Sequence, residues 1–374
     1  MAFQVFQVFP ENADLTPCKR VKFGIDPTFP RLHLGHLVPL RLAKKMMLEG
    51  HKLTIVLGTF TAQLGDPSGR DATRPILAES DVEANADSIF SQIKKILGKE
   101  NFGTDHFDEI VPHKWVICRN GWLHNKMTLP TFMKQVAKFT LSHMTSRNAF
   151  QDRIANNQSI GMHELLVPIC QGWDSVALQS EIEIGGQDQL FNFQVARHLQ
   201  EANGQKPQAC IMLPIINGTD GRKMSKSLGN CVFFDEDPND IFGKVMSIPD
   251  AVMEEWFPLF VDFMVDDIHP MNKKKILALE IVNQLHGLQL AQSAQENFLK
   301  TVQNKELPSD IPTIPATPLL NAVVACCTIS KTAARQRLKD GAVKVDGVKV
   351  FDEQLMLKPG QVVQCGRRDF VRIN

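Results

Sequence analysis

The stretch from residue 21 to residue 58 constrains this chain most. Residues 21–25 (V-K-F-G-I) read as a short buried strand, broken by Asp26-Pro27-Thr28. An apolar-patterned helix follows from about 34 to 49 and ends at Gly50, and residues 52–58 (K-L-T-I-V-L-G) read as a second strand. Strand, turn, helix and strand in about forty residues make a βαβ unit, and therefore a parallel sheet. The expected class is α/β with a Rossmann-like parallel sheet. Ligands of such sheets bind outside the carboxyl ends of the strands, which here places residues 26–36 and 59–70 at the binding edge.

The pattern beyond is mainly helical over 80–200, with one strand at 181–185 (E-I-E-I-G). Another buried strand is expected at 210–217. A mostly helical region covers 238–304. Residues 307–318 (L-P-S-D-I-P-T-I-P-A-T-P) carry four prolines and read as a semi-rigid linker. The expected division is a first domain over 1–237, a helical domain over 238–306, the linker, and a compact α+β module over 319–374.

Of the 374 residues 43% are hydrophobic, enough for sizeable cores. Lys plus Arg equals Asp plus Glu at 41 each, so any basic surface for a nucleic acid must be local. No apolar run reaches membrane-spanning length, and the first residues form no signal peptide. The eight cysteines include no C-x-x-C, which argues against a disulfide or zinc framework and for a cytoplasmic location.

Two motifs carry the chemistry. In P-R-L-H-L-G-H, His33 and His36 flank Gly35 at the start of the first helix. Helical zinc ligands stand four apart with an acidic neighbour, so this spacing argues against a metal. A helix N-terminus after a strand suits an anion, because its N–H groups lack partners and its dipole favours negative charge. Taken by itself, the pair reads first as packing. In the second motif, G-R-K-M-S-K-S-L-G-N over 221–230, Lys223 and Lys226 crowd a glycine-flanked segment with two serines, a composition able to wrap a polyphosphate. A lone K-x-x-K is most often a solvated loop.

Together, H-L-G-H in a βαβ unit and K-M-S-K-S resemble the paired signatures of class I aminoacyl-tRNA synthetases. Residues 20–36, 65–70 (G-D-P-S-G-R), 171–178 (Q-G-W-D-S-V-A-L) and 184–192 (I-G-G-Q-D-Q-L-F-N) are similar to bacterial tyrosyl-tRNA synthetases, and the resemblance spans nearly the whole chain. It implies activation of L-tyrosine by ATP, accompanied by Mg2+, and transfer to tRNA(Tyr) by a homodimer joined through helices within 110–170. It also implies roles. His33, Gly35 and His36 would meet ATP, and Lys223, Lys226 and Ser227 would close over the pyrophosphate. Asp26 and Thr28 would line the nucleotide end, and Gly186 and Asp188 would hold the ribose. Asp66 and Gln171 would take the substrate ammonium, Asp174 the phenol proton, and Gln189 would lie by the carboxylate. Arg70 and Arg74 match a cationic loop over the phosphates. By themselves, Asp174 reads as a helix cap and Gln171 as a surface amide.

The chain departs from its relatives in having no tyrosine beside 23 Phe and 4 Trp. Val167, Trp173 and Cys231 stand where those synthetases often carry tyrosine. Val167 removes a hydroxyl expected near the substrate ammonium. Pressure against the residue type, or adaptation to a tyrosine analogue, explains such losses better than drift does.

Near the C-terminus, Lys331, Arg335, Arg337 and Lys339 fall on one short helix. Residues 343–350 (V-K-V-D-G-V-K-V) form a hairpin turning at Asp346-Gly347, and Arg367 and Arg368 add charge. This pattern is similar to the small α-L RNA-binding module, which implies a tRNA contact outside the acceptor end. Two other classes remain: a non-catalytic RNA-binding paralogue, against which the intact motifs speak, and another nucleotidyltransferase, which would have no need of an RNA module.

Overall fold

The computed structural model describes residues 6–64, 77–103, 111–263, 265, 268–303, 311–366 and 369–374. The chain forms two compact units, 1–288 and 289–374. The first is built on a six-stranded sheet of β1 (Gln7–Phe9), β2 (Arg20–Ile25), β3 (Lys52–Leu57), β4 (Trp115–Arg119), β5 (Ile182–Gly186) and β6 (Ala209–Leu213). The order is β1-β6-β5-β2-β3-β4, with β1 antiparallel to β6 and every other pair parallel. The strands β3, β4 and β6 are almost entirely buried, as expected where helices cover both faces of a parallel sheet.

The helices of this region are α1 (Leu34–Leu48), α2 (Thr61–Leu64), α3 (Glu79–Leu97), α4 (Gly121–His124), α5 (Leu129–Val136), α6 (Leu141–Met144), α7 (Asn148–Ala155), α8 (Met162–Ala177) and α9 (Leu190–Ala202). They are followed by α10 (Pro238–Met246), α11 (Asp250–Phe260), α12 (Pro270–His286) and α13 (Leu288–Phe298). From β2 the chain runs outward through β3 and β4, then returns to lay β5 and β6 on the other side of β2. The strand order therefore reverses between β2 and β5, and this opens the ligand crevice at their carboxyl ends.

The second unit contains β7 (Thr313–Ile314), α14 (Leu319–Cys327), α15 (Lys331–Lys339), β8 (Val343–Val345), β9 (Val348–Lys349), β10 (Val362–Cys365) and β11 (Asp369–Ile373). Its sheet runs β7-β11-β10-β8-β9 over a core that includes Leu319, Val323, Ala334, Leu338 and Val363. Asp346 and Gly347 have φ of 49° and 82°, the positive pair of a tight hairpin turn. Within the proline-rich segment, Thr313 and Ile314 pair in parallel with Arg372 and Ile373. Prolines lack an N–H, so a strand flanked by them is confined to a sheet edge, where β7 lies.

Strands expected at 21–25, 52–58, 181–185 and 210–217 are present, with ends shifted by a few residues. The strands β1 and β4 were not expected. β4 (W-V-I-C-R) lies in a region read as helical, and a five-residue apolar run carries no period that separates strand from buried helix.

Lys22, in the middle of β2, is 1% exposed. Its ammonium lies 2.9 Å from Glu183 on β5 and donates to Ser175 Oγ at 2.6 Å and to the Gln171 carbonyl at 3.3 Å. A buried ammonium is tolerable only when paired and hydrogen-bonded in this way. Replacing Lys22 with Met should destabilise the fold by about 3–5 kcal/mol, because Glu183 is left as an uncompensated buried charge. The double change Lys22→Met, Glu183→Leu should recover most of the loss. Urea midpoints of the two variants check both outcomes.

Candidate active site

His33 is the N-cap of α1, and its Nδ1 accepts from the Gly35 N–H at 3.2 Å. The His33 N–H in turn donates to His36 Nδ1, also at 3.2 Å, which closes a reciprocal capping box. With both Nδ1 atoms accepting, both neutral rings carry their proton on Nε2. The ring centroids are 4.1 Å apart. Burial, then His36 and the Lys226 ammonium, push the His33 imidazole down to about 2. Burial and Lys226 push His36 down to about 4. Both histidines are thus neutral donors at neutral pH, and cationic charge at this end comes from lysine.

Gly35 has a structural reason within the chain itself. A Cβ there would lie 2.9 Å from His33 Cε1, so glycine makes room for the capping imidazole. Met224 is buried against the same point, with its sulfur 4.0 Å from that Cβ position. The second motif therefore packs directly on the first.

The loop around 221–230 is organised by Asn230, which is 3% exposed. Its Oδ1 accepts from the Ser225 N–H at 2.8 Å, and its Nδ2 donates to Asp220 and to the carbonyls of Arg222 and Lys223. Hydrogen bonds from Asn230 and Arg222 hold the Asp220 carboxyl down at about 2. Lys226 Nζ lies 4.4 Å over the Phe29 ring, beside the histidines. Ser227 and Lys223 are exposed, and the Ser227 hydroxyl is 2.9 Å from that of Ser225.

Asp26, at the end of β2, accepts from the Thr61 hydroxyl at 2.7 Å, and the Thr28 N–H donates to the Asp26 carbonyl. A Cβ on Gly58 would sit 1.9 Å from Asp26 Oδ1, so this close approach of β3 requires glycine. Gly186 ends β5, and Asp188 lies in the turn that follows. Gln171 on α8 and Gln189 are joined by Asn192, whose Nδ2 donates to the Oε1 of each, at 2.9 and 2.8 Å. Asp174 is 3% exposed; Asn120 donates to it at 3.0 Å and His124 contacts it at 2.9 Å. Among the expected residues, His33, Gly35, His36 and Lys226 converge, and Asp174 connects to Asp26 through Asn120 and Thr61. Asp66, Arg70 and Arg74 lie outside the described residues.

Three positions carry side chains that fill space where hydroxyls were expected. Val167 and Cys231 are buried, and Trp173 is half-buried against the apolar cluster around Phe150 and Leu199. Sequence reasoning missed Lys22, Asn120, His124, Asn192 and Asn230. Each lies outside the quoted motifs or reads as an ordinary polar residue, and burial alone reveals it.

In the second unit, Lys331, Arg335 and Lys339 are exposed at four-residue spacing along α15, opposite the buried Ala334 and Leu338. Arg335 pairs with Glu353 at 2.8 Å. Arg337 turns instead to Asp369 and to the sulfurs of Cys327 and Cys365.

The family model described as tRNA synthetases class I (W and Y) matches residues 17–303. The chain belongs to that family. It is 38% identical to a tyrosine–tRNA ligase of Francisella tularensis over 371 residues, covering 94% of this chain and 90% of that one. It is 37% identical to a tyrosine–tRNA ligase of Thermotoga maritima over 374 residues, covering 95% and 90%. Among solved structures, a C-terminally truncated mitochondrial tyrosyl-tRNA synthetase of Coccidioides posadasii aligns with a TM-score of 0.59 over 74% of this chain and 83% of that truncated one. At 23% identity, that match bears on the fold, which is that of a class I synthetase.

The neutral histidines give this synthetase a defined pH response. The unfolded chain binds protons on both imidazoles near pH 6.5, whereas the folded chain does so only near the lowered values. Stability present above pH 6.5 is therefore lost as pH falls from about 6.5 towards 4 for His36, and further towards 2 for His33. A urea-midpoint series from pH 7 to 5 should fall less steeply in His36→Asn than in the unmodified protein.

Proposed function

We propose that this chain is a cytoplasmic tyrosine–tRNA ligase acting as a homodimer. ATP enters with its Mg2+ as substrate. The tyrosine carboxylate attacks the α-phosphate, forming tyrosyl-adenylate and releasing pyrophosphate. A hydroxyl of the terminal tRNA ribose then attacks the adenylate carbonyl and releases AMP. Positioning and charge stabilisation supply the catalysis, with no protein nucleophile.

The observation that carries this reading is the packing of 223–227 against 33–36. It supports His33 and His36 as Nε2–H donors to phosphate oxygens, with Lys226, Lys223 and Ser227 closing over the pyrophosphate, joined by Arg70 and Arg74. On this reading Asp26 and Thr28 line the nucleotide end, with Gly186 and Asp188 at the ribose. Asp66 and Gln171 take the ammonium, Gln189 lies by the carboxylate, and Asp174 accepts from the phenol. The exposed Lys331, Arg335 and Lys339 supply a phosphate-binding face, with Arg337 beside it. Among the described residues, no helix is long and apolar enough to cross a membrane.

The dimer reading rests on large apolar side chains left exposed within 122–162, among them Trp122, Leu129, Met133, Leu141, Ile154 and Met162. Sedimentation should show a dimer, and Leu141→Lys combined with Met162→Lys should yield monomers.

The test of function is ATP–pyrophosphate exchange with tyrosine, phenylalanine and ring-substituted tyrosines. Tyrosine is expected to be preferred, and Lys226→Ala to lower exchange by about 10²-fold or more. Deleting 319–374 should abolish aminoacylation while largely preserving exchange. Strong preference for an analogue would instead point to a pocket rebuilt around Val167.

A further inference from the structure

Asp174 sits on α8 with almost no contact with solvent, and each of its oxygens meets a different donor. Asn120 Nδ2 reaches Oδ2 at 3.0 Å, and His124 Nε2 reaches Oδ1 at 2.9 Å. A carboxylate only accepts, so Nε2 of His124 carries the proton of this contact. Asn120 is completely buried and His124 is 6% exposed. The His124 ring is held by stacking on Phe60, at 4.4 Å between centroids and 10° between planes. The Phe60 N–H donates to Asn120 Oδ1 at 2.8 Å, so one short segment after β3 fixes both donors. Neither His124 nor Phe60 belongs to the motifs that define the site.

We infer that His124 is a positioning residue for amino-acid specificity: through its hydrogen bond to Asp174 it holds that carboxylate aimed to accept a phenolic hydroxyl. The inference rests on the tyrosine ligase reading. A buried carboxylate with too few donors turns toward other partners, and the turn removes the acceptor that a phenol needs. Two N–H donors, one on each oxygen, hold it in one orientation. Each oxygen keeps a second acceptor direction, so a ligand hydroxyl completes the shell without displacing either donor. The geometry also gives the donor a job that stacking alone would not require. An apolar side chain could fill the space over Phe60, but it would leave Oδ1 without the His124 donor.

The prediction separates tyrosine from phenylalanine, since only tyrosine presents the hydroxyl that Asp174 reads. In ATP–pyrophosphate exchange, His124→Leu should lower kcat/KM for tyrosine by about tenfold or more, mainly through KM, with phenylalanine nearly unchanged. The ratio of the two values should therefore collapse. His124→Gln, which keeps an N–H donor, should restore most of the ratio. If His124→Leu does not fold, Phe60→Leu loosens the ring while keeping the donor, and a fall in the ratio is again expected. An unchanged ratio in a folded variant, or an equal loss for both amino acids, overturns the inference and leaves His124 as packing. Absence of any tyrosine preference in the unmodified protein overturns the tyrosine reading itself, and this inference with it.

Discussion

The ion pair between Lys22 and Glu183 is the interaction on which the rest of the site depends. It crosses from β2 to β5 at the point where strand order reverses, so it ties together the two strands whose carboxyl ends open the crevice. The same ammonium reaches Ser175 and the carbonyl of Gln171, which fixes α8 against the sheet. Asp174 and Gln171 are carried on that helix. A charge in the middle of a buried strand is a costly way to fasten a helix. It gives a directional hold that an apolar residue lacks, because the three acceptors must all be in place.

Around this clamp the site separates into two electrostatic regimes. Around His33 and His36 the imidazoles are neutral, because burial and the Lys226 ammonium both oppose a second positive charge there. Positive charge at this point comes from the lysine loop. On α8, one carboxylate, Asp174, is kept in the interior by paired donors. A chain of contacts runs from Asp174 through Asn120 and Thr61 to Asp26, through buried or half-buried groups.

The family was legible in the residues. H-L-G-H and K-M-S-K-S each read weakly alone, and it was their pairing in a βαβ context that carried the family. The side chains that hold the motif residues were not legible. Asn230 organises the lysine loop, Asn192 joins Gln171 to Gln189, and His124 faces Asp174, yet each reads as an ordinary polar residue in the sequence. Gly35 shows the same limit in another form, since the His33 ring 2.9 Å from where a Cβ would stand is visible only in the structure.

The sequence by itself determined the parallel sheet, the helix that begins at its ligand edge and the hairpin at Asp346-Gly347. These follow from periodicity, breakers and backbone preference, which are local in the chain. Only the tertiary structure decided that β4 is a strand, that Lys22 is buried rather than solvated, and that His124 meets Asp174. Those outcomes depend on partners 50 to 161 residues away, such as Asp174 for His124 and Glu181 for the start of β2. Burial makes an unmet polar group expensive, so the fold selects the partners, and no local pattern records which ones they will be.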